Sequence, residues 1–202
     1  MKVQKKIAYN KSQQAIIEAA RTLFWKYGVK KVSVEEIAKE AGVSKMTFYR
    51  GFKNKIDIVN SLLVQISEKG MQDYKAIMNS NMSFTEKVNS MILIKHQNSE
   101  GVSEEFIRDV FGVEQEVWQK TISEYQTAMH KELYNDFAKA QKEGWIRQDM
   151  SLDFVFYMLE DMQAKVRDAK FLALHNGDLH ASIMEITKFF FYGVIPEKDH
   201  QK

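Results

Sequence analysis

The sequence predicts an all-α protein, with a small three-helix N-terminal domain followed by a larger helical body. Three observations carry that expectation. Only one proline is present, Pro196, near the C-terminal end, and the nine glycines stand singly along the chain. An isolated glycine readily stops a helix by taking the left-handed conformation, so long stretches between glycines favour helices. Within those stretches apolar residues recur at the 3.6-residue period of an amphipathic helix. Charge also divides the chain: residues 1–55 hold 13 Lys and Arg against four Glu, a balance of +9, and the remainder holds 16 basic against 23 acidic residues, a balance of −7.

Composition narrows the class. A chain of 202 residues with 45% hydrophobic and 28% charged content is ordinary for a soluble globular protein. Cysteine is absent, which removes disulfides, thiolate zinc sites and cysteine nucleophiles, and suits a reducing cytoplasm. The basic start, MKVQKKIAYNKSQQ, lacks the apolar run of a signal peptide, and no segment approaches the roughly 20 apolar residues that cross a bilayer. A cytoplasmic protein with no membrane association and no cofactor is expected. The positive end suits a polyanionic partner. Lys2, Lys5, Lys6 and Lys11 equally suit a solubilising tail, whereas the basic residues from Arg21 to Lys55 lie in strongly patterned sequence.

The first helix is expected from about Ser12, with Ile16, Ala19, Ala20, Leu23, Phe24 and Tyr27 on one side and Gly28 ending it. Ser33 and Glu36 make a capping box, in which serine and glutamate side chains satisfy free N–H groups at a helix start. That short helix ends near Glu40. A tight turn, Ala41-Gly42-Val43, leads to Ser44 as the cap of another short helix over 45–50. Ala38 gives a close contact, Gly42 can take positive φ, and Ile37, Val43 and Phe48 form the apolar wedge. This is helix-turn-helix spacing, and its second helix is suited to the DNA major groove. Asn54 then caps a further helix, with Lys55 beside its positively polarised end as a candidate phosphate contact.

From about Ile16 to Leu62 the sequence resembles the N-terminal domain of TetR-family regulators. The shared pattern comprises Phe24 to Gly28, Ser33, Ile37, Ala38, Ala41, Gly42, Val43, Ser44, Thr47, Tyr49, Phe52, Asn54 and Lys55. The resemblance implies a DNA-binding domain over 1–55 and a helical effector-binding and dimerisation domain over 56–202. It implies that Ser33, Thr47, Tyr49 and Lys55 hold phosphates, and that Lys45, Met46 and Thr47 face bases. Lysine can reach guanine acceptors, and a methionine or threonine methyl suits a thymine methyl. Ser44 caps this recognition helix, and Arg50 suits either phosphate or a solvated helix edge. Gly51 departs from the pattern, since relatives often place a histidine or aromatic there, and one backbone contact is expected to be missing.

The body is expected to hold helices over 54–78, 83–97, 103–112, 114–143 and 151–174, and a last one starting at 178 or 179. The last two are apolar on more than one face, which calls for partners on two sides. Phe154, Met158, Ile183, Ile186 and Phe190 are candidate homodimer contacts, since the resemblance implies a four-helix interface there. A two-fold dimer would read both halves of a palindromic double-stranded DNA operator. Residues 56–202 also carry 17 aromatics and nine methionines, which suit either a core or an adaptable apolar cavity. The resemblance implies a small-molecule effector pocket, with Tyr74, Phe106, Phe111, Trp118, Tyr125, Met129, Trp145, Tyr157 and Met162 as candidate lining residues. His96, Asn89, Glu114 and Glu160 are polar candidates for orienting such a ligand.

Two other readings compete. An enzyme is disfavoured, because no H-E-x-x-H, P-loop, G-x-G-x-x-G or G-x-S-x-G motif occurs, and the single Glu-x-x-His, Glu197 to His200, falls after Pro196. A DNA-binding protein without effector control stays open. The reading adopted is a repressor released from its operator by a small, largely apolar effector, with no catalytic or metal site.

Overall fold

The computed structural model describes residues 8–111, 116–165 and 168–195, and leaves the side chains of residues 111, 116, 117 and 163 undescribed. Ten helices and no strand occur among the described residues. The first is α1 (Lys11–Tyr27), which starts before Ser12 because Asn10 and Gln13 form a reciprocal cap. The Asn10 side chain accepts from the Gln13 N–H at 2.9 Å, and Gln13 Oε1 accepts from the Asn10 N–H at 3.1 Å. Ile16, Ile17, Ala20 and Phe24 line its buried side. The helices α2 (Val34–Glu40) and α3 (Lys45–Gly51) have seven residues each. Helices that short do not persist alone in water, so packing must hold them. Ile37 and Phe48, both 0% exposed, provide it against α1.

The body begins with α4 (Lys55–Met78) and continues through α5 (Phe84–Ser99), α6 (Glu104–Phe111) and α7 (Glu116–Lys142). It closes with α8 (Leu152–Lys165), α9 (Ala169–Ala173) and α10 (Leu179–Val194). The helix expected over 151–174 is therefore broken. Asp168 lies at the break, and its carboxylate accepts from the Lys170 N–H at 2.9 Å, opening a new helix. Aspartate favours such caps because its side chain competes with the backbone for donors. Asn176 and Gly177 then take positive φ, and Asp178 caps α10.

Two apolar cores result. One joins α1–α3 to the first half of α4, through Ile16, Phe24, Phe48, Ile58 and Leu62, and also takes in Phe106, Val110 and Trp118 from α6 and α7. The other packs α5, α7, α8 and α10 around Val88, Phe137, Ile146, Phe156 and Phe190. The N-terminal helices thus share their interior with α6. Trp118 is 1% exposed, and its indole N–H donates to the Val110 carbonyl at 2.6 Å, fixing the start of α7 to the end of α6.

Gly28 sits where the N-terminal helices meet α6. Its φ is +80°, and a Cβ there would lie 2.8 Å from Asp109 Oδ2 and 2.9 Å from Glu105 Cβ. Gly144 has a similar φ of +82° with nothing within 4 Å of a Cβ. Replacement of Gly144 by alanine is expected to cost only left-handed strain, about 1 kcal/mol. The same change at Gly28 adds a clash of about 1–3 kcal/mol. Urea unfolding of the two variants should therefore separate them clearly, with Gly28→Ala the less stable.

Candidate nucleic-acid interface

The interface is built from caps. Ser33 Oγ accepts from the Glu36 N–H at 3.2 Å, and Glu36 Oε2 accepts from the Ser33 N–H and hydroxyl at 2.8 and 2.7 Å. These bonds hold the Glu36 carboxyl below the usual carboxylate range. The turn after α2 bonds internally, with the Val43 N–H donating to Ala38 at 2.9 Å and Gly42 at φ +64°. Ser44 Oγ accepts from the Thr47 N–H at 3.0 Å and lies 2.9 Å from the Thr47 hydroxyl. Ser44 therefore starts α3, and Phe48 seats it on the core.

With Phe48 pointing inward, the 100° advance per residue places Met46 and Arg50 on the opposite side, flanked by Lys45 and Tyr49. All four are exposed, Met46 to 72% and Tyr49 to 50%, and Thr47 is half-buried at the edge. The Phe48 ring meets the Tyr49 ring edge-on at 5.3 Å and holds its base. This is a protruding ridge of cation, thioether and phenol on a rigid support. At Gly51 the backbone passes close under α1. A Cβ would come within 3.2 Å of Gln13 Cγ, and Gln13 Nε2 donates to the Gly51 carbonyl at 3.3 Å.

Two lysines have partners that sequence spacing did not show. Lys45 forms an ion pair with Glu35 of α2, which raises the amine's pKa and lowers that of the carboxyl, chiefly through their shared hydrogen bond. Lys55 Nζ donates to the carbonyls of Val29, Lys30 and Val32 at 2.8, 3.1 and 2.9 Å. In this conformation it closes the α1–α2 connection. The same connection is gripped by α6: the Lys30 N–H donates to Asp109 Oδ2 at 2.8 Å, and the Ser103 N–H donates to the Trp25 carbonyl at 2.8 Å. Trp25 and Phe106 rings lie 4.5 Å apart, and Lys31 reaches Glu105 at 3.6 Å. Nothing in the local pattern signals Asp109, which lies 79 positions from its partner.

The other candidate residues fall in several places. Phe154 is 52% exposed, Met158, Ile183 and Ile186 are half-buried, and Phe190 packs inward on Phe137 with rings 6.4 Å apart. Tyr157, Phe189 and Tyr192, exposed to 70%, 69% and 52%, join Phe154 on the outside of α8 and α10. Among the pocket candidates, Phe106 and Trp118 belong to the N-terminal core. Tyr74 is buried and donates to Asp136 Oδ2 at 2.6 Å, tying α4 to α7. Burial raises the pKa of the Tyr74 and Tyr125 phenols, and the Tyr125 hydroxyl lies 2.8 Å from where a Cβ on Gly70 would sit. Met129 and Met162 are half-buried, Trp145 is 38% exposed and lines a small cleft with Lys87 and Asp136, and Glu160 pairs with His130 at 3.3 Å. The Phe111 side chain, Glu114 and residues 197–200 lie outside the described residues. Phe106 and Trp118 thus share one core cluster, and Met162 packs against the other.

An exposed short helix, capped and wedged behind a glycine turn, defines a helix-turn-helix DNA-binding domain. Residues 16–62 match the family described as bacterial regulatory proteins, tetR family. An uncharacterised helix-turn-helix-type transcriptional regulator of Bacillus subtilis, YvkB, is 41% identical over 56 residues, which cover 28% of this chain and 30% of that protein. The regulator TtgR of Pseudomonas putida is 42% identical over 53 residues, covering 26% and 25%. The similarity to these curated relatives thus spans less than a third of their length. Similarity in fold extends much further. The fatty acid degradation regulator FadR of Bacillus halodurans superposes with a TM-score of 0.71 at 19% identity, covering 93% of this chain and 98% of that one. The regulatory protein TetR of Rhodobacter sphaeroides gives 0.72 at 15% identity, covering 92% and 100%. At such identities the likeness establishes the fold.

Two substitutions separate the lysine roles. Glu35→Gln should free the Lys45 amine and remove a negative charge, tightening binding to random duplex DNA. The slope of log affinity against log salt should steepen by about one, as for one added phosphate contact. Lys55→Met should strand three carbonyls and lower stability by about 1–3 kcal/mol, read by urea unfolding.

Proposed function

We propose that the chain is a transcriptional repressor that binds a palindromic operator as a homodimer and leaves it when a small, largely apolar effector occupies the body. The observation that carries the DNA-binding part is the ridge of Lys45, Met46, Tyr49 and Arg50, raised on Phe48 and open to solvent. In this reading Lys45 and Met46 meet base edges. Thr47, Tyr49, Arg50 and Ser33 hold phosphates, and Lys55 sets the loop that presents them. Residues 1–55 read DNA, and residues 56–202 bind effector and dimerise.

One such helix contacts too few base pairs for specificity, so a second copy is required. The apolar face of Phe154, Tyr157, Phe189 and Tyr192 on α8 and α10 supports pairing there, with Met158, Ile183 and Ile186 at its border. Effector control is supported by the grip of α6 on the α1–α2 connection, because movement of α6 must move α2 and α3. Linkage then requires the effector to lower operator affinity by the same coupling energy that DNA imposes on effector binding, about 1–3 kcal/mol. SmeT, a neighbour of similar fold with a TM-score of 0.62 at 16% identity, has been solved as a triclosan complex, which is consistent with an apolar ligand.

Binding-site selection from random DNA should return an inverted repeat. Lys45→Ala should relax preference at one position of each half-site by about tenfold, whereas Tyr49→Ala should weaken all sequences alike. Unchanged specificity in the Lys45 variant would dismiss this recognition register. Paired Tyr157→Glu and Phe189→Glu changes should give monomers in analytical ultracentrifugation and abolish cooperative operator binding. Asp109→Asn should bind effector normally while losing most of the effector's influence on operator affinity, measured by fluorescence anisotropy.

A further inference from the structure

The chain has no cysteine, so all its sulfur chemistry falls to methionine. Among the methionines whose side chains the structure describes, Met46 alone is exposed; Met184 is buried and the others are half-buried. Met82 Sδ also accepts from the Ser90 hydroxyl at 3.7 Å, which engages one of its lone pairs. An oxidant must reach a sulfur lone pair to react with it, so Met46 is the thioether most open to attack.

The fold keeps it open. Phe48 seats α3 on the core and so turns Met46 outward. Helical side chains lean toward the N-terminal end, which here lies over the turn at Gly42. A Cβ on Gly42 would meet nothing within 4 Å, so the turn leaves that side uncrowded.

We propose that Met46 is a site of reversible oxidation by a hydroperoxide, and that its oxidation switches the base preference of α3. This rests on the DNA-reading assignment of α3 above and names a means of regulating it. In the step, a lone pair of Sδ attacks an oxygen of hydrogen peroxide. The S–O bond forms as the O–O bond breaks, and the departing hydroxide takes the proton of the transferred oxygen and leaves as water. Sulfur is oxidised by two electrons and the peroxide is reduced by two. A thiol-dependent sulfoxide reductase reverses the change, joining two thiols as a disulfide and releasing the oxygen as water.

The product is polar and chiral where the thioether was apolar. A thioether methyl suits a thymine methyl, and a sulfoxide in its place must be desolvated without a partner there. Arg50 is exposed one turn along the same side. The sulfoxide oxygen can accept from its guanidinium and draw it from phosphate.

The test treats the full-length protein with limiting hydrogen peroxide. Trypsin releases residues 46–50 as a peptide with one methionine, so mass spectrometry reads its oxidation directly. Met46 should gain oxygen well before the methionines of α4 to α10. Affinity for the selected inverted repeat, read by fluorescence anisotropy, should fall about tenfold, the size of one lost base contact. Binding to random duplex DNA should fall less than about threefold, because phosphate contacts dominate it. Sulfoxide reductases should restore peptide and affinity together. Met46→Leu, at whatever affinity it starts, should bind the same before and after peroxide. Met46 oxidation no faster than that of the half-buried methionines overturns the proposal. So does full affinity in the oxidised chain, or an equal peroxide effect in Met46→Leu. Where the leucine variant binds too weakly to read, the reductase arm decides. An untreated chain that selects no DNA dismisses the wider reading and the proposal with it, whereas a selective chain indifferent to oxidation at Met46 dismisses the proposal alone.

Discussion

The structure depends on how one short stretch of backbone is satisfied. Residues 28–32 link α1 to α2, and Gly28, Val29 and Val32 within them are buried. Buried peptide groups must be paired, yet a connection of this kind has no helix ladder to pair them. Three of its carbonyls are taken by the ammonium of Lys55, at the first residue of α4. One of its N–H groups is taken by the carboxylate of Asp109 in α6. The placement of α2 and α3, and therefore of the exposed ridge on α3, is set by two charged side chains that reach in from α4 and α6. Hydrogen bonds to charged groups are stronger than neutral ones, and these are partly shielded from water.

Local signals were legible in the sequence where the physics is local. The caps at Ser33, Ser44 and Asn54 each bond three positions away, and all of them start helices as the pattern requires. The 3.6-residue period found most of the buried side of α1, missing the buried Ile17 and including the exposed Tyr27, and the glycine turn found the approach of α2 to α3. What escaped was contact at a distance. Asp109 looks like any acidic residue on a helix, and its partner is a backbone N–H that leaves no trace in composition. Lys55 sits next to a helix start, a position that suits phosphate and carbonyls equally well, and only coordinates reveal the three oxygens.

Faces were harder to read than helices. α10 is apolar on several sides, and of the run 189–191 the sequence reading assigns Phe190 to the dimer face, whereas it belongs to the body's own core. Phe190 packs on Phe137 while Phe189 stands 69% exposed. α8 divides similarly, with Val155 and Phe156 buried and Phe154 and Tyr157 outside. Aromatic and methionine content likewise cannot tell core from cavity. Trp118 and Phe106 complete the interior behind the helix-turn-helix, and Tyr74 ties two long helices through Asp136.

The shared core also bears on how such proteins diversify. Trp25 leans on Phe106, and Val29 and Val32 belong to the cluster that Val110 and Trp118 complete. A recombination event that exchanged only the first sixty residues between two relatives would leave that seam mismatched. The folding unit of the N-terminal helices is therefore longer than its recognisable motif, because its interior is completed by α6 and the start of α7.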